Sequence, residues 1–422
     1  MPQNQEINSA NLIGTPIATP FLIGHTEAEH EFLDCFKSGH FHHSWIITGM
    51  PGIGKATLAY RIVRYIFSLN NQDLISNLSL DTKLDVNKIA EDNIDFNYDS
   101  DEEDSDNFSF SSDDLIIPQS QEKEKSTPTD SALQSLDNSP LKLSPKHPIF
   151  ERLLAGGLTD LFVVEREYSD AAKTKLKTEI SIEQIRKLKE FFSKTSSEGG
   201  YKIAIVDSVD NLNTNSSNAL LKILEEAPNK SLLLLICNNY EGLIDTIKSR
   251  CRVLKLHPLS DENMEILLSE YIREISPENI KQLIHLAHGS IGAALDFYNN
   301  NGIEISEKLY SSLPEILSRK NRKILDITTL VGYSEIKFKI FSQALMVLIE
   351  NIIRINTGLT ASYSSEIEER ATKFCAQYFV NTEKLFKLRE KFLSYFELTP
   401  VLNLDYTAVI ISLFERLKNA YR

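Results

Sequence analysis

Residues 49–55 read Gly-Met-Pro-Gly-Ile-Gly-Lys, the GxxxxGK start of a phosphate-binding (Walker A) loop. Gly49, Gly52 and Gly54 allow a tight turn whose backbone N–H groups can face an anion, and Lys55 would reach the outer oxygens of a polyphosphate. In a working loop the next residue supplies a hydroxyl that holds Mg²⁺. Here that residue is Ala56, which has no oxygen; Thr57 has one, but it lies about 100° further round a helix. A second block, Ile203-Ala204-Ile205-Val206-Asp207, has the form of an apolar strand ending in a carboxylate (Walker B), and Asp207 could hold Mg²⁺ through water. The position after it, where a second carboxylate would polarise an attacking water, is Ser208. Asp210 lies beyond the strand end and is expected to cap the helix that follows.

These groups need elements to hold them. Ser44-Trp45-Ile46-Ile47-Thr48 reads as a short buried strand, and residues 57–67 as a helix with Leu58, Ile62, Val63 and Ile66 in one stripe. Strand, glycine loop and helix in that order are the context the motif requires. Helices are also expected at 151–155, at 182–192 and at 213–226, the last with Leu220, Leu221 and Leu224 inward. Strands near 45–48, 161–165, 202–207, 231–237 and 252–256 alternate with helices, which predicts an α/β parallel sheet covered on both sides. Residues 261–299 read as a small helical lid with Leu267, Leu283 and Leu286 in its core. From about 304 onward the pattern is helical throughout. Phe338, Phe341, Leu345, Leu348, Ile349 and Ile352 recur at helical spacing, as do Leu385, Leu388, Phe392 and Tyr395, and again Tyr406, Val409, Ile410, Leu413 and Leu417.

Several of these motifs together resemble a known family. Asn218-Ala219-Leu220-Leu221-Lys222-Ile223-Leu224-Glu225-Glu226-Ala227-Pro228 is similar to the helix after Walker B in clamp-loader AAA+ subunits. Ile247-Lys248-Ser249-Arg250-Cys251 resembles their Ser-Arg-Cys motif, and His42-His43-Ser44-Trp45 and Lys55-Ala56-Thr57-Leu58-Ala59 fit the same family. The match is closest to delta-prime-type subunits of bacterial DNA polymerase III, over residues 12–70 and 150–300; the C-terminal third matches only in being helical.

The resemblance implies a AAA+ P-loop domain at 1–70 and 148–258, a helical lid domain at 259–303 and an all-α collar-type domain at 304–422, and composition sets apart an acidic insert at 71–147. It implies that Arg250 reaches the ATP site of a neighbouring subunit, where a guanidinium supplied in trans stabilises charge on the transferred phosphoryl oxygens. Asn238 or Asn239 would take the sensor-1 place. Gly289-Ser290-Ile291-Gly292 resembles the start of the sensor-2 helix, with Gly292 where active relatives carry Arg. Ala56, Ser208 and Gly292 are thus three missing catalytic groups. The expectation is a largely non-catalytic stator of a clamp loader in DNA replication, with ATP or ADP bound weakly if at all. Its partners would be the ATPase subunits and the delta-type stator, with the sliding clamp and primed DNA reached through the assembly. The assembly's class is a DNA-directed DNA polymerase, although nothing here resembles a polymerase active site. The alternatives are an active AAA+ ATPase motor, which would need other groups in place of the three missing ones, and a nucleotide-binding regulator with the insert as its arm.

Composition bounds this reading. The chain has 422 residues and a hydrophobic content of 42%, enough for more than one core. No apolar run is long enough for a membrane span, and the first residues lack the basic and apolar regions of a secretory signal. Cys35, Cys237, Cys251 and Cys375 are far apart, as in a reduced cytoplasmic protein. The net charge of −14 is local: residues 71–147 hold 18 of the 59 acidic and 6 of the 45 basic residues, leaving 41 and 39 elsewhere. So acidic a block, its second half dominated by Ser, Asn and Pro, is expected to be disordered. It contains no Cys, so the four-cysteine zinc module that chains of the resembled family often carry near here is not expected.

Overall fold

The computed structural model describes residues 15–38, 41–69, 139–168, 177–272, 274–318 and 322–420. Most of the acidic block, and with it the expectations of disorder and of no zinc module, lies outside them. Its last residues, 139–147, are described. Leu141 is buried there, and the Ser139 hydroxyl bonds the Glu29 carboxylate.

The N-terminal half is built on a five-stranded sheet of β1 (Ser44–Thr48), β2 (Leu161–Glu165), β3 (Lys202–Asp207), β4 (Ser231–Cys237) and β5 (Arg252–Lys255). All pairs are parallel, in the order β2-β3-β4-β1-β5. The central strands β1 and β4 are buried along their whole length, which is why they read as unbroken apolar runs. Alternate side chains feed opposite cores. Ile203 and Ile205 pack with Leu58, Ile62 and Ile66 of α2 (55–69), with Phe32 of α1 (Thr26–Lys37) and with Ile149 of α3 (Pro148–Leu154). Ala204 and Val206 pack with Ile185 and Leu188 of α4 (Ile182–Ser193) and with Leu220 and Leu224 of α5 (Thr214–Glu225). In α5 the buried third position is Ile223, whereas Leu221 is only partly buried. The short helix α6 (Asp245–Lys248) precedes β5.

The remaining helices are α7 (Asp261–Tyr271), α8 (Pro277–Ala287), α9 (Ile291–Asn299), α10 (Gly302–Leu317), α11 (Arg322–Val331), α12 (Glu335–Asn356), α13 (Glu366–Tyr378), α14 (Thr382–Val401) and α15 (Tyr406–Ala420). The boundary drawn at 303/304 falls inside α10. One apolar cluster runs from Met264 and Leu283 through Leu309 and Phe341 to Leu417, so lid and C-terminal helices share a single core. A buried carboxylate ties the same parts together. Glu368 of α13 accepts from His285 Nε2 of α8 and Asn351 Nδ2 of α12, each at 3.0 Å, and from the Ser364 N–H and hydroxyl at 2.9 and 2.7 Å.

Candidate nucleotide crevice and arginine turn

The phosphate loop leaves the C-terminal end of β1 and enters α2, as the glycine pattern requires. Gly49, Gly52 and Gly54 all have positive φ, and at Gly52 (φ +79°) a Cβ would stand 2.5 Å from Ser290 Oγ and 3.0 Å from the Gly292 Cα. A crevice of about 320 Å³ lies beside the loop. Lys55, Ala56, Thr57, Asp207 and Asn238 line it from below, and Tyr271, Ile291, Gly292 and Leu295 of the lid line it from above.

The polar groups of this crevice are engaged with one another. Lys55, expected to point at a polyphosphate, turns back: its Nζ donates to the Gly49 and Met50 carbonyls, each at 2.7 Å. Burial lowers the Lys55 pKa to about 8, although Asp210 and Asp207 act in the opposite direction. The Gly292 N–H donates to the Gly52 carbonyl at 2.9 Å, and the Ser290 hydroxyl to the Pro51 carbonyl at 2.8 Å, so the start of α9 is hydrogen-bonded to the loop. A Cβ on Gly292 would come within 2.8 Å of the Gly52 Cα. From the other side His25 Nε2 donates to the Ile53 carbonyl at 2.7 Å. Its burial holds that imidazole below the usual histidine pKa, and His257 adds to the effect.

At the strand ends Ser208 donates to Asp207 at 2.9 Å and accepts from Asn238 Nδ2 at 3.0 Å. Between the two candidates for the polar post after β4, Asn238 lines the crevice, while Asn239 accepts from the Gly242 N–H in a turn. Asp210 does not cap α5; Asn213 does, accepting from the Ser216 N–H at 2.9 Å. Asp210 instead accepts from the Asn238 N–H at 2.7 Å and the Cys237 thiol at 2.8 Å. It sits in a short 3₁₀ turn, Val209–Asn211, that brings its carboxylate back over the end of β4. Burial, and then Asp210, push the Cys237 thiol up to about 12, so it is a proton donor and no nucleophile. The crevice therefore retains a carboxylate at 207 and an amide at 238, but it has no oxygen at 56, no carboxylate at 208 and no cation at 292. These residues do not offer Mg²⁺ the hydroxyl ligand that follows the lysine in a working loop. Among the described residues no cluster of His, Cys, Asp or Glu could hold a metal ion. No described helix is long and apolar enough to cross a membrane.

Arg250 lies elsewhere. It precedes β5, whose Arg252 pairs with Trp45 near the start of β1, whereas the phosphate loop begins after Thr48. In a parallel sheet this puts Arg250 at the opposite edge from its own crevice, a strand length of roughly 15 Å away. The turn that carries it is firm. Ile247 is fully buried, Cys251 packs on the α4–α5 core, and the Arg250 N–H donates to the Ile247 carbonyl at 3.1 Å. The side chain is 37% exposed. Its Nη1 donates to the Thr246 carbonyl at 3.0 Å, and its Nη2 pairs with the Glu225 carboxylate at 2.8 Å. Neither the Glu225–Arg250 pair nor the bonding of the loop to Ser290 and Gly292 was expected, because each joins separate motifs and no local pattern signals the pairing.

Sheet order, phosphate loop and lid define a AAA+ P-loop fold with an all-α C-terminal region. Comparison with known proteins places the resemblance more narrowly. A family model described as DNA polymerase III, delta subunit, matches residues 144–260. DNA polymerase III subunit delta' of Bacillus subtilis is 29% identical over 170 residues, covering 40% of this chain and 48% of its own. The protein of the same name from Pseudomonas aeruginosa is 34% identical over 139 residues, covering 33% and 40%. The replication factor C small subunit of Methanosarcina barkeri is 26% identical over 152 residues, covering 35% and 42%. The chain thus spans under half the length of each of these relatives. Over that span it is similar to delta'-type clamp-loader subunits.

Proposed function

We propose that this chain is a delta-prime-type clamp-loader subunit acting in DNA replication, a largely non-catalytic stator that lends Arg250 to a neighbouring ATPase subunit. The observation that carries this is the placement of Arg250: partly exposed, on a firm turn, and at the end of the sheet away from its own phosphate loop. A cation there stands too far from its own phosphate loop to serve it, and its free N–H groups are open to a site outside this chain. A guanidinium is suited to that work because its planar, always-charged fork meets the oxygens of a phosphoryl group as charge builds on them.

The chain's own crevice supports the complementary half of the reading. A nucleotide would have to draw Lys55 away from two carbonyls, and its Mg²⁺ would find no hydroxyl at Ala56. Binding of ATP or ADP is therefore weak, and no hydrolytic step runs in this site. The helical region 304–422 would join the subunits, the delta-type stator and the ATPase subunits among them. The sliding clamp and primed DNA are reached through the assembly, in the cytoplasm.

The test is ATP turnover by the purified chain alone and after mixing with the ATPase subunits and the other stator. The expected result is none alone and a clamp- and DNA-dependent rate on assembly. Robust turnover by the isolated chain would replace this reading with that of an active motor.

A further inference from the structure

We infer that Glu225 is the positioning residue of Arg250, holding its guanidinium in the direction from which it meets a neighbour's phosphoryl group. The inference rests on the trans-arginine reading above and adds to it a residue that the motif does not contain.

A long side chain on an exposed turn would sample many rotamers, and a cation that must meet a small target gains from having fewer. The backbone of the turn is fixed by buried Ile247 and by the bonds of the Ser249, Arg250 and Cys251 N–H groups to the Asp245, Ile247 and Lys248 carbonyls. That leaves the side chain itself. Two contacts hold it: Nη1 to the Thr246 carbonyl at 3.0 Å, one helical turn back, and Nη2 to Glu225 Oε1 at 2.8 Å. Glu225 is the last residue of α5, whose inner face is anchored in the sheet core by Leu220 and Leu224. The carboxylate is therefore offered from a rigid element. Its neighbour Glu226 is 3.6 Å from Lys189, and Lys248 is engaged with Asp245 and the Glu241 carbonyl. The other charges around the turn thus have partners of their own. A guanidinium carries five N–H donors, so these two contacts leave others to face outward. The pair orients the fork without consuming it.

Both side chains are partly exposed, so the pair sets a preference and contributes little to stability. The expected consequence is kinetic. In the assembled loader Glu225→Gln should lower ATP turnover by about two- to fivefold, the scale of an exposed ion pair. KM for ATP, subunit assembly and the melting temperature of the chain should be unchanged. Glu225→Asp, which keeps the charge on a shorter arm, should recover part of the rate. In an Arg250→Ala background Glu225→Gln should cost nothing further, because the residue it positions is gone. If Arg250→Ala slows turnover but Glu225→Gln leaves it unchanged or raises it, the positioning role is overturned and the trans arginine stands. A further loss from Glu225→Gln in the Arg250→Ala background would also overturn it. If Arg250→Ala itself has no effect, the underlying reading fails and this inference fails with it.

Discussion

The two edges of the sheet answer the same chemical question in opposite ways. At the edge where β1 ends, a phosphate loop, a lysine, an aspartate and an asparagine are present, and each is engaged within the chain: Lys55 with loop carbonyls, Ser208 between Asp207 and Asn238, Gly52 with Gly292. At the edge where β5 begins, Arg250 is held but left partly open to solvent. One edge has turned its binding groups inward and the other directs a charge outward. On the proposed function, such a fold keeps the shape of a nucleotide site while its working group serves a different one.

The contrast can be broken by variants, and the largest expected effect is at the outward edge. Arg250→Ala should lower turnover of the assembled loader by at least about tenfold, since a trans arginine stabilises the transition state directly. The folded chain should melt nearly as before, because only a partly exposed ion pair and one hydrogen bond to the Thr246 carbonyl are lost. Turnover within twofold of the parent would remove Arg250 from the mechanism.

Next comes Gly292→Arg, which writes back the sensor-2 residue of active relatives. It should not restore hydrolysis. Any Cβ at 292 meets the Gly52 Cα at 2.8 Å, so lid and loop must part, at a cost of about 1–3 kcal/mol read as a lower denaturant midpoint. An unchanged midpoint would mean that the contact is looser than described.

A third effect is a dependence on pH. The Lys55 pKa is lowered in the folded chain to about 8, below its ordinary value of 10.5, so the folded state binds fewer protons than the unfolded one between those values. Protonated Lys55 thus carries a penalty that is present in full below about pH 8 and relieved as pH rises toward 10.5. Relative to Lys55→Met, which cannot titrate, the parent chain should gain stability over that window. Parallel curves would show that the ammonium is as well solvated in the fold as outside it.

The smallest effect concerns the missing hydroxyl. Ala56→Ser should raise affinity for Mg²⁺–ATP by less than about tenfold, because Lys55 must still give up two hydrogen bonds. Titration calorimetry would measure it, and a larger gain would make Ala56 the main obstacle.

Much of this architecture is legible in the sequence because it follows from local periodicity. All five strands, the helices around them and the glycine loop are set by short-range pattern, and Phe338, Leu345, Ile352, Phe392 and Leu413 are buried as their spacing predicts. What pattern cannot convey is where a polar group finds its partner. Asp210 reads as a cap because helix caps are local, yet its partners come from the end of β4, a neighbouring strand. Lys55 reads as a phosphate ligand because the motif is defined with phosphate present. Gly292 reads as a lost arginine; the closeness of Gly52, which makes glycine the residue that fits there, exists only once the lid has docked. The pairing of Glu225 with Arg250 bridges 25 positions in sequence and has no signature short of the fold.

The single core beneath α7–α15 has a mechanical consequence. Among the described residues one apolar cluster extends from Leu417 of α15 to Ala294 and Phe297 of α9, and close-packed interiors transmit strain. There it arrives at the bond between Gly292 and Gly52. A displacement of the helical half would thus be felt at the phosphate loop through this contact.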